Sequence, residues 1–206
     1  MHKKSGGDYN SISADTKKEL RESLIEEQGF VCCYCLKRIP ENKMDLNHTK
    51  IEHFKCQKKY PHLDLEYSNL HLACKGKEGN SRKNQTCDTA KGDKEINHFS
   101  LIDNSLHNNI FFAVDGTIFS KYQSIDKEIN DVLQLNNDQT LRKARKNVIK
   151  GLSNVTRNFD QKGKLTKNKL KRELRSWKHK KNHKYKEFYP VAIQYLEKKI
   201  RRFNAG

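Results

Sequence analysis

Apolar residues recur at helical spacing in four parts of the chain. Residues 15–28, DTKKELRESLIEEQ, predict a short amphipathic helix with Asp15 or Thr16 as its N-cap and Gly29 at its end. The last third of the chain predicts three more helices, each from one apolar stripe. These stripes consist of Leu141, Val148, Ile149 and Leu152, then Leu170, Leu174 and Trp177, and then Phe188, Val191, Ala192, Tyr195, Leu196, Ile200 and Phe203.

Between the predicted helices the pattern changes to short runs and turns. Residues 30–92 are broken by Pro40, Pro61 and the glycine-rich KGKEGN, which is typical of a small module held together by a metal. Further on, NIFFAVDGTIFSKY joins two β-rich runs across Asp115 and Gly116, a strong signal for a β-hairpin. The predicted fold class is therefore α+β. Its four segments are an N-terminal helix at 1–29, a metal-stapled module at 30–95, a β-hairpin with its connection at 96–136, and a basic helical region at 137–206.

The composition of the 206-residue chain argues against a large apolar core and against a membrane span. Only 34% of its residues are hydrophobic, so we expect modest cores. No apolar run is long enough to cross a bilayer, and the first residues, MHKKSGGDYN, lack the apolar centre of a signal peptide. We therefore expect a cytoplasmic protein without a membrane partner. In that compartment the six cysteines are more typical of metal binding than of disulfides.

The net charge of +17 is concentrated in one third of the chain. Residues 1–140 carry 20 Lys and Arg against 21 Asp and Glu, whereas residues 141–206 carry 22 against 4. Such an excess predicts a nucleic-acid partner, because cations that neutralise phosphates release counterions. The alternative is a solvated face of Lys-rich helices. The expected phosphate contacts are Lys178, Lys180, Lys181, Lys198, Arg201 and Arg202, together with Lys91 in the earlier stretch CDTAKG.

Four of the cysteines predict a structural zinc site. The expected ligands are Cys32 and Cys35 of a CxxC knuckle, then Cys74 and Cys87. A knuckle of this spacing presents two thiolates to one tetrahedral metal, and the residues between the second pair can loop out. His48 or His71 could replace one thiolate. Cys33 and Cys56 are expected to be small buried side chains or free thiols.

The pair Glu52-His53 in KIEHF suits phosphodiester hydrolysis, which needs a base to activate water and a cation to stabilise developing charge. A neutral imidazole suits the first role, and carboxylates from Glu52 and Asp88 suit a hard cation such as Mg²⁺. Asn69 could orient either a backbone loop or the imidazole, and Lys91 could meet a phosphate. Glu-His pairs are also common at surfaces as ion pairs. Because neighbouring strand residues point to opposite faces, a shared site requires the strand to end or bend there.

The ordered series CxxC, IEH, NL followed by Cys, and CDxxKG resembles the HNH, or ββα-metal, nuclease superfamily in its zinc-stapled form. The resemblance implies a small ββα-metal module and a metal-dependent endonuclease. In it His53 would be the general base, Asn69 would fix the loop, and Glu52 and Asp88 would hold a catalytic Mg²⁺ or Mn²⁺. Asp88 stands where Asn or His is commoner, and the gap between Asn69 and Asp88 is longer than usual.

The series CCYC, IEHF, YSNLHLAC and TCDTAKG, with the downstream hairpin and LQLNNDQTLRKAR, is similar to the HNH component of Septu and retron anti-phage systems, over residues 30 to about 150. That likeness implies an ATPase of the ABC/SMC type as a partner, with or without a retron reverse transcriptase and its non-coding DNA or RNA. The substrate stays open between DNA, which the superfamily favours, and structured RNA such as tRNA. The alternative function is a non-catalytic zinc module that binds nucleic acid or docks the ATPase.

Overall fold

The computed structural model of the chain describes residues 8–43, 48–100, 102, 109–161 and 165–203. Helices and two small antiparallel sheets alternate along it, so the α+β class is confirmed. None of the helices in these ranges is long and apolar enough to cross a membrane. The elements are α1 Ala14–Glu27, β1 Thr49–His53, β2 Leu70–Cys74, α2 Cys87–Lys91, β3 Phe111–Phe112, β4 Ile118–Phe119, α3 Gln123–Lys127, α4 Gln139–Gln161, α5 Lys167–Lys178 and α6 Tyr189–Phe203.

Helix α1 begins slightly earlier than the sequence pattern predicts. Its N-cap is Ser13, whose hydroxyl accepts a hydrogen bond from the backbone N–H of Thr16, so the expected caps Asp15 and Thr16 lie inside the first turn. Serine is as good a cap as aspartate, and the apolar pattern alone does not separate neighbouring candidates. At the other end Gly29 has a φ of +66°, the left-handed conformation that commonly ends a helix.

Strands β1 and β2 form a hairpin that leads into helix α2. In their antiparallel register Glu52 lies opposite His71, and His53 lies opposite Leu70. A loop of residues 75–86 separates β2 from α2, and its two ends are joined where Thr86 N–H donates to Gly76 O at 2.8 Å. A Cβ atom at Gly76, where φ is +51°, would lie 1.9 Å from the backbone carbonyl oxygen of Thr86. Only glycine therefore fits where the loop closes.

One apolar cluster runs through all four of the predicted segments. Leu24 of α1, Leu72 of β2, Ile118 of β4 and Ile149 of α4 are all buried in it. A second, smaller cluster fills the space between α4, α5 and α6 and consists of Leu152, Leu170, Ala192 and Leu196. The stripes predicted from the sequence thus face apolar neighbours, except at Phe203, of which 43% is exposed. The half of the chain that carries the cysteines shares its core with the helical half.

The β3–β4 hairpin turns at Asp115-Gly116 and rests on α4. Gly116 has a φ of +87°, and a Cβ atom there would lie 2.1 Å from the carbonyl oxygen of Arg142. We expect Gly116→Ala to lower the free energy of unfolding by at least about 2 kcal/mol, because both the backbone conformation and the close approach exclude a side chain. Urea unfolding followed by circular dichroism would measure it.

Gly151 provides the matched control for that substitution. It lies within α4, and a Cβ atom there would meet nothing within 4 Å. Gly151→Ala should therefore stabilise the protein by about 0.5–1 kcal/mol. Equal effects of the two substitutions would contradict the geometry assigned to the hairpin.

Candidate active site and metal centre

Four cysteine side chains converge between the knuckle, strand β2 and helix α2. All four sulfur atoms lie within 4.8 Å of one another, and Cys74 Sγ lies 3.8 Å from the sulfur atoms of both Cys35 and Cys87. A tetrahedral zinc with Zn–S bonds of about 2.3 Å sets its sulfurs about 3.8 Å apart. The cluster therefore has the size of a zinc site. Its members, which we call the cysteine cluster, are the four predicted ligands Cys32, Cys35, Cys74 and Cys87.

The surroundings of the cysteine cluster favour negative charge on one sulfur, that of Cys32, whereas hydrogen bonds to Cys32 raise the pKa of Cys35 and Cys87 well above the usual value. Burial by itself would raise the pKa of Cys32, but hydrogen bonds from neighbouring thiols lower that pKa well below its usual value. The backbone N–H of Cys74 also donates to Cys32 Sγ, at 3.3 Å. Thiols bind zinc as thiolates. Because protein sulfur would fill all four positions, a zinc ion held here would be structural.

The other two cysteines lie outside the cluster, as the sequence predicts. Cys33 is buried within the knuckle, and burial raises the pKa of its thiol well above the usual value. Cys56 is also buried, and its thiol donates to the carbonyl oxygen of Asp93 at 3.4 Å. Neither of the two histidines considered as alternative ligands belongs to the cluster.

Glu52 and His53 line one cavity of about 480 Å³ together with Asp88 and Lys91, which we call the acidic cavity. Strand β1 ends at His53, so two consecutive side chains can face the same space instead of opposite faces of a sheet. Both are buried, with 2% of Glu52 and 7% of His53 exposed. Asp88 directly follows Cys87 of the cysteine cluster. The cysteine cluster and the acidic cavity are therefore neighbours.

The Glu52 carboxylate is held by two donors and faces a second carboxylate. The hydroxyl of Tyr34 donates to Oε1 at 2.7 Å, and Lys91 Nζ lies 2.6 Å from the same oxygen. Burial raises the pKa of Glu52 well above its usual value, and the adjacent Asp88 carboxyl raises it further. Two carboxylates in this situation are stabilised by a cation placed between them. They fit Mg²⁺ or Mn²⁺, because such ions commonly take one or two carboxylates and keep water or phosphate oxygens as further ligands.

A lysine on β1 also reaches Asp88. Lys50 Nζ lies 3.5 Å from Asp88 Oδ2 and 2.7 Å from Glu78 Oε1. Lys50 stands two residues before Glu52, and alternate residues of a strand share a face. The carboxylates of the acidic cavity are therefore partly balanced by protein cations.

The imidazole of His53 is oriented by Asp64. Its Nε2 lies 3.0 Å from the Asp64 carbonyl oxygen and 3.2 Å from Asp64 Oδ1. Both atoms accept hydrogen bonds, so Nε2 carries the proton and Nδ1 is the nitrogen that can accept one. Burial lowers the pKa of His53, although Asp64 opposes this shift. At neutral pH the imidazole is therefore available as a base.

Asn69 organises the loop between β1 and β2. Its Oδ1 accepts from the backbone N–H of Lys55 at 2.7 Å, and its Nδ2 donates to the carbonyl oxygens of Lys55 and Leu63 at 3.1 and 3.0 Å. Of the two roles considered for this amide, orienting the backbone loop is the one that its contacts support. Since Leu63 precedes Asp64, Asn69 fixes the segment that orients His53.

Lys91 does not lie at the surface, where a phosphate contact was expected. Its side chain is 1% exposed, and its ammonium pairs with Glu52 and donates to the carbonyl oxygen of His53 at 2.9 Å. The short helix α2 turns this side chain inward. Its charge therefore balances the buried carboxylates instead of facing solvent.

The other six expected phosphate contacts lie away from the residues that line the acidic cavity. Lys178 pairs with Glu197 at 2.7 Å. Lys180 donates to the carbonyl oxygens of Glu26 and Glu27 at 2.9 and 2.8 Å, which places a positive charge at the C-terminal end of α1. The remaining four are exposed: Lys181, Lys198, Arg201 and Arg202.

The last three of these border an apolar groove of about 700 Å³ between α6 and the β3–β4 hairpin. Phe111, Val114 and Phe119 contribute its apolar wall, and 77% of Val114 is exposed. This basic rim therefore flanks a surface that is partly apolar.

Several residues of the acidic cavity and its surroundings were not predicted. Lys50 was detectable, because it shares a strand face with Glu52. Arg21 was detectable too, since it lies three and four residues before the buried Leu24 and Ile25 and so interrupts an apolar stripe with a charge. Tyr34 and Asp64 lie in turns and loops, where no periodicity indicates which side chains point inward.

A scan against protein-family models gives no match for the chain, and a comparison with curated proteins gives none either.

Proposed function

We propose that the chain is a metal-dependent endonuclease of the HNH, or ββα-metal, type that hydrolyses phosphodiester bonds of nucleic acid. The observation that supports this proposal is the acidic cavity, in which an oriented imidazole and two carboxylates meet beside the cysteine cluster. A strand pair followed by a short helix carries these groups, in the order β1, β2, α2. A zinc-binding module without catalysis would not need a buried histidine whose Nδ1 has no hydrogen-bond donor among the described residues.

His53 acts as the general base in this proposal. Its Nδ1 takes a proton from the attacking water, and Asp64 stabilises the resulting imidazolium through the hydrogen bond at Nε2. Asn69 holds the loop that carries Asp64 and so keeps the imidazole in place. A positioned base of this kind typically contributes about 10²–10⁴-fold to the rate.

Glu52 and Asp88 would hold the catalytic Mg²⁺ or Mn²⁺. When bound, such a cation supplies positive charge next to the phosphate oxygens. Tyr34 and Lys91 fix Oε1 of Glu52, so this carboxylate is held in one orientation. The cysteine cluster, with zinc bound, would anchor the start of α2 and thereby Asp88.

The substrate we propose is DNA, with structured RNA such as tRNA as the alternative, because a phosphodiester is all that the acidic cavity needs. The basic helical region supports a nucleic-acid substrate in general, since phosphate contacts position a substrate without reading its sequence. We further propose that the chain acts in anti-phage defence with an ATPase of the ABC/SMC type.

Cleavage of supercoiled plasmid DNA and bulk tRNA with Mg²⁺ or Mn²⁺ tests the proposal, with the chain alone and with its ATPase. His53→Ala should reduce cleavage by about 10²–10⁴-fold while the zinc content is unchanged. His62→Ala is the matched control, because His62 lies exposed in the same loop, and it should cleave like the unmodified protein. Equal behaviour of both variants and the unmodified chain in every condition would favour the non-catalytic zinc module instead.

A further inference from the structure

We propose that Arg21 of helix α1 binds the phosphodiester group undergoing cleavage in the acidic cavity. This inference rests on the proposed function and names a residue outside the ββα element. It makes the N-terminal helix part of the active site.

The guanidinium of Arg21 is buried but poorly satisfied. Only 6% of the residue is exposed, and one terminal nitrogen donates to the carbonyl oxygen of Lys17 at 3.1 Å. Its Nε has no hydrogen-bond partner among the described residues. Within the described parts of the chain, no carboxylate oxygen lies within 4.0 Å of it. Arginine stays charged in proteins, and an unpaired buried charge is costly. An anion from outside the chain would remove that cost.

Arg21 also lies at the cavity in which we propose that cleavage occurs. It lines the acidic cavity with Glu52, His53 and Asp88, and so does Tyr9. The ring of Tyr9 packs edge-on against His53 with centroids 4.7 Å apart, and its backbone N–H donates to Asp64 at 2.7 Å. The start of the described chain and α1 thus form one wall of the cavity that contains the proposed base.

The chemistry of the cavity indicates which anion this is. Glu52 and Asp88 would be taken up by the catalytic cation, whereas Arg21 is a separate positive group on another wall. A phosphodiester carries one negative charge, and that charge grows as the pentavalent transition state forms. The planar guanidinium can donate two parallel hydrogen bonds to two phosphate oxygens. Arg21 would therefore bind the transition state more tightly than the ground state.

Three variants test this: Arg21→Gln, Arg21→Lys, and Lys18→Gln as a control that removes an exposed charge from the same helix. The substrates are plasmid DNA, bulk tRNA and bis(p-nitrophenyl) phosphate with Mn²⁺. We expect Arg21→Gln to reduce kcat by about 10²-fold, the usual effect of removing one donor to a developing oxyanion, and to weaken substrate binding by a smaller factor, because the phosphodiester already carries one negative charge in the ground state. Arg21→Lys should recover part of the rate, and Lys18→Gln should be unaffected.

Stability separates this role from a structural one. Removing an unpaired buried charge should leave the melting temperature of Arg21→Gln equal to or above that of the unmodified protein, with full zinc content. Unimpaired kcat in Arg21→Gln, or a loss of activity that parallels a loss of stability, would overturn the inference while leaving the nuclease proposal in place.

A binding measurement keeps the inference testable if no substrate is cleaved. In that case the proposed function fails, and the affinity of each variant for a short fluorescent oligonucleotide tests whether Arg21 binds phosphate. Weaker binding by Arg21→Gln than by Lys18→Gln would retain Arg21 as a phosphate-binding residue, and equal binding would reject it.

Discussion

Replacing Cys74 by alanine should abolish zinc binding at the cysteine cluster and strongly destabilise the fold. Cys74 Sγ is the sulfur that lies 3.8 Å from two other members of the cysteine cluster. Binding of a structural zinc contributes about 10–16 kcal/mol in zinc-finger peptides, which is as large as the whole stability of about 5–15 kcal/mol of a typical domain. Because the cysteine cluster lies in the core that the helices share, we therefore expect loss of the cooperative thermal transition of the protein. Mass-spectrometric metal analysis and circular dichroism would measure the two effects.

Cys33→Ala is the matched control for the zinc prediction. Cys33 adjoins the ligand Cys32 and is equally buried, but it lies outside the cysteine cluster. The variant should keep its full zinc content and lose only the free energy of unfolding that comes from packing, about 1 kcal/mol. Full zinc content in Cys74→Ala, or zinc loss in Cys33→Ala, would contradict the assigned ligand set.

Replacing Lys91 by methionine should lower the free energy of unfolding by about 3–5 kcal/mol at neutral pH. Methionine has a similar volume, but it leaves Glu52 and Asp88 without the buried ammonium now 2.6 Å from Glu52 Oε1. Removal of one partner from a buried ion pair typically has this effect. Urea unfolding of zinc-loaded protein would measure it. Added Mn²⁺ should restore part of the loss, because a cation at the two carboxylates would replace the missing charge.

The pH dependence of the Lys91 effect has a defined sign. The pKa of Glu52 is already raised by burial and by Asp88, and loss of Lys91 would raise it further. A carboxyl whose pKa is higher in the folded state favours folding most at low pH and loses that contribution as pH rises. The destabilisation should therefore shrink as pH falls towards the ordinary pKa of glutamate, about 4.3.

Lys94→Met serves as the comparison for Lys91→Met at each pH. Lys94 is only partly buried and donates one hydrogen bond to the carbonyl oxygen of Asp131. Lys94→Met should lower the free energy of unfolding by well under about 1 kcal/mol. A loss in Lys91→Met no larger than this, or one that grows at acidic pH, would show that Lys91 does not stabilise the carboxylates.

Much of this architecture follows from local sequence signals. The cysteine cluster was predictable because the CxxC spacing indicates a knuckle, and a structural tetrahedral site needs two more protein ligands, which Cys74 and Cys87 can supply. The β3–β4 hairpin was predictable because Asp115-Gly116 sits between two β-rich runs. The helices of the last third follow from stripes whose apolar residues, such as Leu152 and Leu196, fill the smaller core.

The inward-facing polar groups were harder to predict. The sequence favours a surface position for Lys91, because lysine is rarely fully buried without a partner. Its partner Glu52 lies 39 residues earlier in the chain, so no local pattern indicates the pair. Asp64 orients His53 from a loop, where side-chain direction depends on tertiary contacts. The roles of both residues depend on how β1, the loop and α2 pack together.

The closure of the 75–86 loop bears on how chains of this kind can be found. Because the backbone N–H of Thr86 donates to the carbonyl oxygen of Gly76, Cys74 and Cys87 approach one another whatever the number of residues between them. A search pattern that fixes that number would discard chains that close the same loop with more or fewer residues. A pattern with a glycine two residues after one cysteine, and a threonine directly before the next, would retain them.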